Sequence, residues 1–152
     1  MPLRRHILAF ALVLVAFPAW ALESFTTSEL TIVTAAGPQK FKVELALSNP
    51  QMEQGLMFRH SLAADAGMLF DFKSPIPVTM WMKNTLIPLD MVFLDASLRV
   101  VDVHERAVPL SLDPIAAKVP ARYVIELNGG TAARLGIKSG DRVTGPYFER
   151  GS

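Results

Sequence analysis

Between Glu29 and Leu47 apolar and polar residues alternate with a period of two. Glu29 to Ala35 (ELTIVTA) is rich in β-branched residues, Gly37-Pro38 breaks the run, and Phe41, Val43, Leu45 and Leu47 then alternate with Lys40, Lys42 and Glu44. This pattern predicts a β-hairpin with one buried face. Ser48-Asn49-Pro50-Gln51 supplies a cap, an early proline and a glutamine three places after the serine. It opens a short helix with Met52, Leu56 and Met57 on its apolar face, ending near Arg59. Strands follow at Gly67 to Phe72 and Val78 to Met82, with Pro75 and Pro77 as a rigid connector between them. Leu89 to Asp95 and Leu98 to His104 form a second hairpin. Residues 106–120 hold three prolines and no sustained period, which reads as a long ordered loop. Arg122 to Leu127 is a strand, Thr131 to Leu135 a helical turn or two, and Arg142 to Tyr147 the last strand. Seven or eight short strands with two short helices predict an α+β domain built on a curled antiparallel or mixed sheet, or a small barrel. The strands lie too close together for the crossover helices of a doubly wound parallel sheet.

The N-terminus has a different pattern. Arg4 and Arg5 precede eleven unbroken apolar residues, Ile7 to Phe17, and Pro18-Ala19-Trp20-Ala21 closes the run with a small-x-small pattern. These are the three parts of a cleavable export signal, with cleavage after Ala21. As a helix the apolar run rises about 17 Å, short of a hydrocarbon core of about 30 Å, so no membrane span is expected after cleavage. The Arg4-Arg5 pair also admits twin-arginine export. The expected organisation is a signal over 1–21 and one β-rich domain over 22–152. Its expected location is the periplasm or the cell exterior.

Composition narrows the function classes. Fifteen Lys and Arg against fourteen Asp and Glu leave a formal charge of +1, which gives no broad footprint for nucleic acid. The absence of cysteine excludes disulfides and thiolate sites, so packing alone must hold the fold in a compartment that permits disulfides. His60 and His104 lie far apart and form no H-x-H or H-E-x-x-H, so no metal site and no cofactor is expected. Met52, Met57, Met68, Met80, Met82 and Met91 raise copper(I) ligation by thioethers, but their places on strands and a helix favour ordinary packing. No G-x-S-x-G supports a serine nucleophile, and Gly129-Gly130 lacks phosphate-binding spacing.

One polar group stands out: Arg59, Lys83, Asn84, Asp90, Glu126 and Asn128. Asp90 and Glu126 sit in strands that are apolar on both sides, the mark of central strands covered twice. A carboxylate there needs a cation or several donors. Lys83 and Arg59 are the candidate cations, and a charge-paired cluster joining the Lys83 turn to both strands is expected. Three roles stay open for it. It can fix register as a structural network. It can floor a pocket walled by Trp81 and Phe70, taking a small molecule, a glycan or an envelope protein. It can also supply a hydrolytic carboxylate pair, Asp90 and Glu126, which needs oxygens roughly 5–9.5 Å apart in an open cleft.

The same residues carry a family resemblance. Gly55-Leu56-Met57-x-Arg59, Gly67-Met68-Leu69-Phe70, Trp81-Met82-Lys83-Asn84-Thr85-x-x-Pro88-Leu89-Asp90, Glu126-Leu127-Asn128-Gly129-Gly130 and Gly136-Ile137-x-x-Gly140-Asp141 occur in that order. Over about residues 40–145 the chain resembles the bacterial and archaeal family catalogued as domain of unknown function 192. The family pattern has Asn-Ala-Gly where this chain has Asn128-Gly129-Gly130. The resemblance implies a small single-domain α+β protein, often exported or membrane-tethered, and it implies no activity.

Overall fold

A computed structural model describes residues 21–149, so the expected export signal, Ala21 apart, lies outside the described residues. Nine strands and three short helices occur among them. The hairpin read from alternation is β1 (Thr26–Thr34) and β2 (Gly37–Ala46), paired antiparallel from Thr26↔Leu45 to Thr34↔Gly37. Helix α1 (Asn49–Gln54) starts on the expected capping box. Ser48 accepts from the Gln51 N–H, and the Gln51 side chain accepts from the Ser48 N–H. The helix stops at Gly55, earlier than Arg59, because Gly55 takes φ 48 and its N–H closes on Gln51 O.

The remaining strands are β3 (Ala66–Ile76), β4 (Thr79–Met80), β5 (Leu89–Leu94), β6 (Val100–Ala107), β7 (Ile115–Ala116), β8 (Ala121–Asn128) and β9 (Arg142–Thr144), with α2 (Thr131–Leu135) and α3 (Pro146–Glu149). Seven form one sheet in the order β6-β5-β8-β3-β2-β1-β9, and only β2 and β3 run parallel. The sheet curls until its edges touch. Arg99, just before β6, bridges Arg142 of β9, and Val100 N–H donates to Asp141 O (2.9 Å). A concave core joins residues from both ends of the sheet, including Ile32, Val92, Val100, Ile125 and Val143. The outer face carries a second core of Met68, Phe70, Met82, Leu89, Met91, Phe93 and Val124. Every residue of β5 is buried, as expected of a strand covered on both sides.

Three departures from the sequence pattern have local causes. The Pro75–Pro77 stretch is not a separate connector: β3 continues to Ile76 beyond an irregularity after Asp71, with Lys73 at φ 70. The 106–120 segment is held by a two-residue strand, β7, paired with β4, and by Met82 N–H to Ser111 O (3.1 Å) and Leu110 N–H to Thr85 O (3.0 Å). The final strand ends at Thr144 and α3 follows. Its Phe148 packs edge-on to Tyr123 at 5.3 Å across the end of the concave core. No helix among the described residues is long and apolar enough to cross a membrane.

Gly67 shows why β3 can lie so close to β8. A β-carbon there would stand 2.5 Å from Glu126 O and 2.8 Å from a Leu127 methyl, so only glycine fits.

Candidate functional site

Register decides which face each candidate residue serves. β5 and β8 pair so that Asp90 lies opposite Leu127, and Met91 opposite Glu126. Side chains alternate along a strand, so Asp90 and Glu126 leave opposite faces of the sheet. The carboxylate pair expected for hydrolysis does not form, because the sheet itself separates the two acids.

The charge-paired cluster does not form either. Among the described residues no ion pair includes Lys83, Asp90 or Glu126. Asp90, fully buried, is satisfied by peptide groups. Its Oδ1 accepts from the N–H of Arg106 (2.8 Å) and Gly130 (3.0 Å), and its Oδ2 accepts from Ala132 N–H (2.7 Å). Gly130 is the N-cap of α2 and has no side chain with which to cap it, so Asp90 does so from another strand. Gly130 takes φ 91, and a β-carbon there would stand 3.3 Å from the Arg106 guanidinium. Gly129 N–H donates to Pro88 O (2.9 Å). The Pro88-Leu89-Asp90 and Gly129-Gly130 motifs are therefore the two halves of one structural joint.

Two more candidates also hold the scaffold. Asn128 Nδ2 donates to Leu62 O (2.9 Å) and Ala63 O (3.1 Å), fastening the segment before β3. Arg59 pairs with Glu44 (Nη2–Oε2 2.6 Å), and its guanidinium lies 5.9 Å from the centre of the Phe25 ring.

The other four candidates share a cleft between α1 and the turn after β4. Its inner part, about 20 Å³, is lined by Met52, Met57, Phe70, Trp81, Lys83 and Glu126 among others. It widens into an outer bowl of about 850 Å³ that shares Met57, Trp81 and Lys83 and adds Phe58 and Asn84. Residues 21–23 line the bowl as well, tied to α1 by Glu23 N–H to Gln54 Oε1 (2.7 Å) and Gln51 Nε2 to Ser24 O (2.8 Å). Trp81 is 47% exposed, and the Lys83 ammonium lies 5.0 Å from the centre of its ring, a cation–π contact. Asn84, at φ 53, accepts Phe58 N–H at its carbonyl (2.9 Å) and turns its amide to Met57 Sδ (3.9 Å).

Glu126 closes the inner end of this cleft. It is 4% exposed and lies in register between Met68 and Met91 of the neighbouring strands. Its carboxyl has no hydrogen-bond partner among the described residues, and burial alone pushes its pKa up to about 8. At neutral pH it is mostly a neutral acid, able both to donate and to accept a proton in a hydrogen bond. A hollow of about 410 Å³ elsewhere, between β1, β2 and Gly145-Pro146, is lined by none of the candidate residues.

Charged clusters do form elsewhere, around Asp71 and, with Lys118, around Asp102, and neither was singled out in the sequence. Asp71, 3% exposed, accepts from Tyr147 Oη (2.7 Å), Lys73 N–H (2.8 Å) and Lys73 Nζ (3.2 Å), with Arg122 Nε at 3.5 Å. Burial raises its pKa, but the bonds from Tyr147 and Lys73 and the Lys73 charge outweigh it, and the net shift is downward. The available signal was an acid inside an otherwise apolar strand, the same one that drew attention to Asp90.

The family model described as DUF192, Uncharacterized ACR, matches residues 31–145. A crystal structure of a Sinorhizobium meliloti 1021 protein, proposed there as a transcription regulator, is similar at 47% identity and TM-score 0.78, over 81% of this chain and 96% of that one. A Novosphingobium aromaticivorans DSM 12444 protein of unknown function is similar at 39% identity and TM-score 0.76, over 86% of this chain and 91% of that one. No curated protein matches.

Proposed function

Because this chain belongs to the uncharacterised DUF192 family, we propose from its cleft that it is a non-enzymatic binding module of the cell envelope that takes a small guest between α1 and Trp81. The observation that carries this reading is Glu126, a nearly buried carboxyl without a partner at the inner end of a cleft that opens to solvent. A buried polar group left unmatched destabilises a fold and is expected where a guest supplies the missing bond. Trp81 and Phe58 give the bowl apolar walls, and Lys83 adds one cation at its rim. The export signal read over 1–21 supports an envelope location. With Asp90 on the opposite face, the Asp90–Glu126 pair does not meet in this cleft, and the other carboxylates that line it, Glu53 and Glu23, sit on exposed residues, which supports binding over hydrolysis. A formal charge of +1 does not favour nucleic acid as the guest.

Crystals soaked separately in phenol, glucosamine and acetate test this. At least one probe should collect between α1 and Trp81, and Trp81→Ala should abolish its density there. Probes that gather elsewhere, or that ignore the Trp81 change, would contradict the proposal.

A further inference from the structure

The six methionines after Met1 fall into two groups. Met68, Met82 and Met91 are fully buried in the outer-face core. Met52, Met57 and Met80 are only partly buried and line the inner cleft together with Trp81 and Glu126. We propose that Met52, Met57 and Met80, which line the inner cleft together with Trp81, form a binding site for a soft monovalent cation, copper(I). This rests on the binding role given to the cleft and names one guest for its inner end.

Five points support the assignment. Thioethers are soft, neutral donors that select copper(I) over hard divalent ions, and being neutral they sit in an apolar cleft at little desolvation cost. No three His, Cys, Asp or Glu side chains among the described residues converge as a metal site, so the cleft offers little to zinc or calcium. The inner space of about 20 Å³ holds one ion or water-sized group, so an organic guest seated in the outer bowl reaches Glu126 with no more than a polar tip. The carboxyl of Glu126, unpartnered and nearly buried, lines that same space. Asn84 restrains one donor through its amide contact with Met57 Sδ (3.9 Å). The indole already takes a cation, the Lys83 ammonium at 5.0 Å, so Lys83 opposes a second positive charge in the cleft.

Silver(I) is a redox-silent probe for such a site. It would be titrated into the full chain in chloride-free buffer, with the methionine methyls labelled with carbon-13 and Trp20→Phe making Trp81 the lone indole. One ion per chain should bind, quench Trp81 and shift the methyls of Met52, Met57 and Met80 while leaving those of Met68, Met82 and Met91 in place. Met57→Leu and Met80→Leu should each weaken binding at least tenfold, with copper(I) following the same order in competition with bicinchoninate. Lys83→Gln should tighten it, which a purely structural lysine would not do. No stoichiometric binding, shifts confined to the core methyls, or indifference to both leucine changes would overturn the proposal. If silver(I) fails while the organic probes still collect beside Trp81, the metal assignment alone falls. If both fail, the binding role of the cleft falls with it.

Discussion

Replacing Glu126 by glutamine isolates what one buried acid does to this fold. The folded chain holds its carboxyl at a pKa of about 8, against 4.5 in the unfolded chain. Below pH 4.5 both states carry the proton and the side chain adds no penalty. As pH rises the unfolded chain gives up its proton while the folded chain keeps it, so stability falls until pH passes the folded value. A shift of roughly 3.5 units corresponds to about 5 kcal/mol when fully developed, of which about 4 kcal/mol accrues between pH 5 and pH 8.5. Glutamine cannot ionise and leaves this contribution flat. Urea unfolding followed by circular dichroism, at pH 5, 7 and 8.5, would be compared between the parent and Glu126→Gln. The other titrating groups are common to both proteins and cancel in the difference. The variant should lie within about 1 kcal/mol of the parent at pH 5 and exceed it by about 3–4 kcal/mol at pH 8.5. Parallel pH profiles would refute the reasoning, because they would mean that the carboxyl ionises as easily in the fold as out of it.

Other substitutions test the scaffold that builds the cleft. Asp90→Ala removes the acceptor for three backbone N–H groups and the cap of α2, and should cost about 3 kcal/mol or more in chemical denaturation, with α2 amides exchanging fastest. Gly67→Ala places a β-carbon 2.5 Å from Glu126 O and should lower stability by about 3 kcal/mol, visible as a large fall in Tm. Tyr147→Phe deletes the bond to Asp71 and should cost about 1.5–3 kcal/mol at neutral pH. Asp71 has a lowered folded pKa, so its stabilisation is present above its unfolded value and is lost as pH falls through the folded one. Calorimetry down the acid limb should therefore show a smaller loss for Tyr147→Phe than for the parent.

The local elements were legible because their signals are local. Alternation marked β1 and β2, the Ser48–Gln51 pair marked the start of α1, and the unbroken apolar runs marked β5 and β8 as strands covered on both faces. The site was less legible because it depends on register. Had β5 and β8 paired one residue differently, Asp90 and Glu126 would share a face. With Met91 opposite Glu126, Asp90 falls on the concave side and finds peptide donors some 40 residues away, near α2. No local pattern announces a backbone partner at that range. The same holds for Asp71, whose partner Tyr147 lies on a four-residue helix at the far end of the chain. β7 is only two residues long within a proline-rich stretch, too short for any period to mark it.

Carbon-13 NMR of the Glu126 carboxyl, followed with pH alongside the indole N–H of Trp81, addresses the cleft most directly. A midpoint near pH 8 shared by both signals is the predicted result. A carboxyl that titrates near its ordinary 4.5, or an indole that ignores it, would contradict a buried neutral acid at the closed end of this cleft.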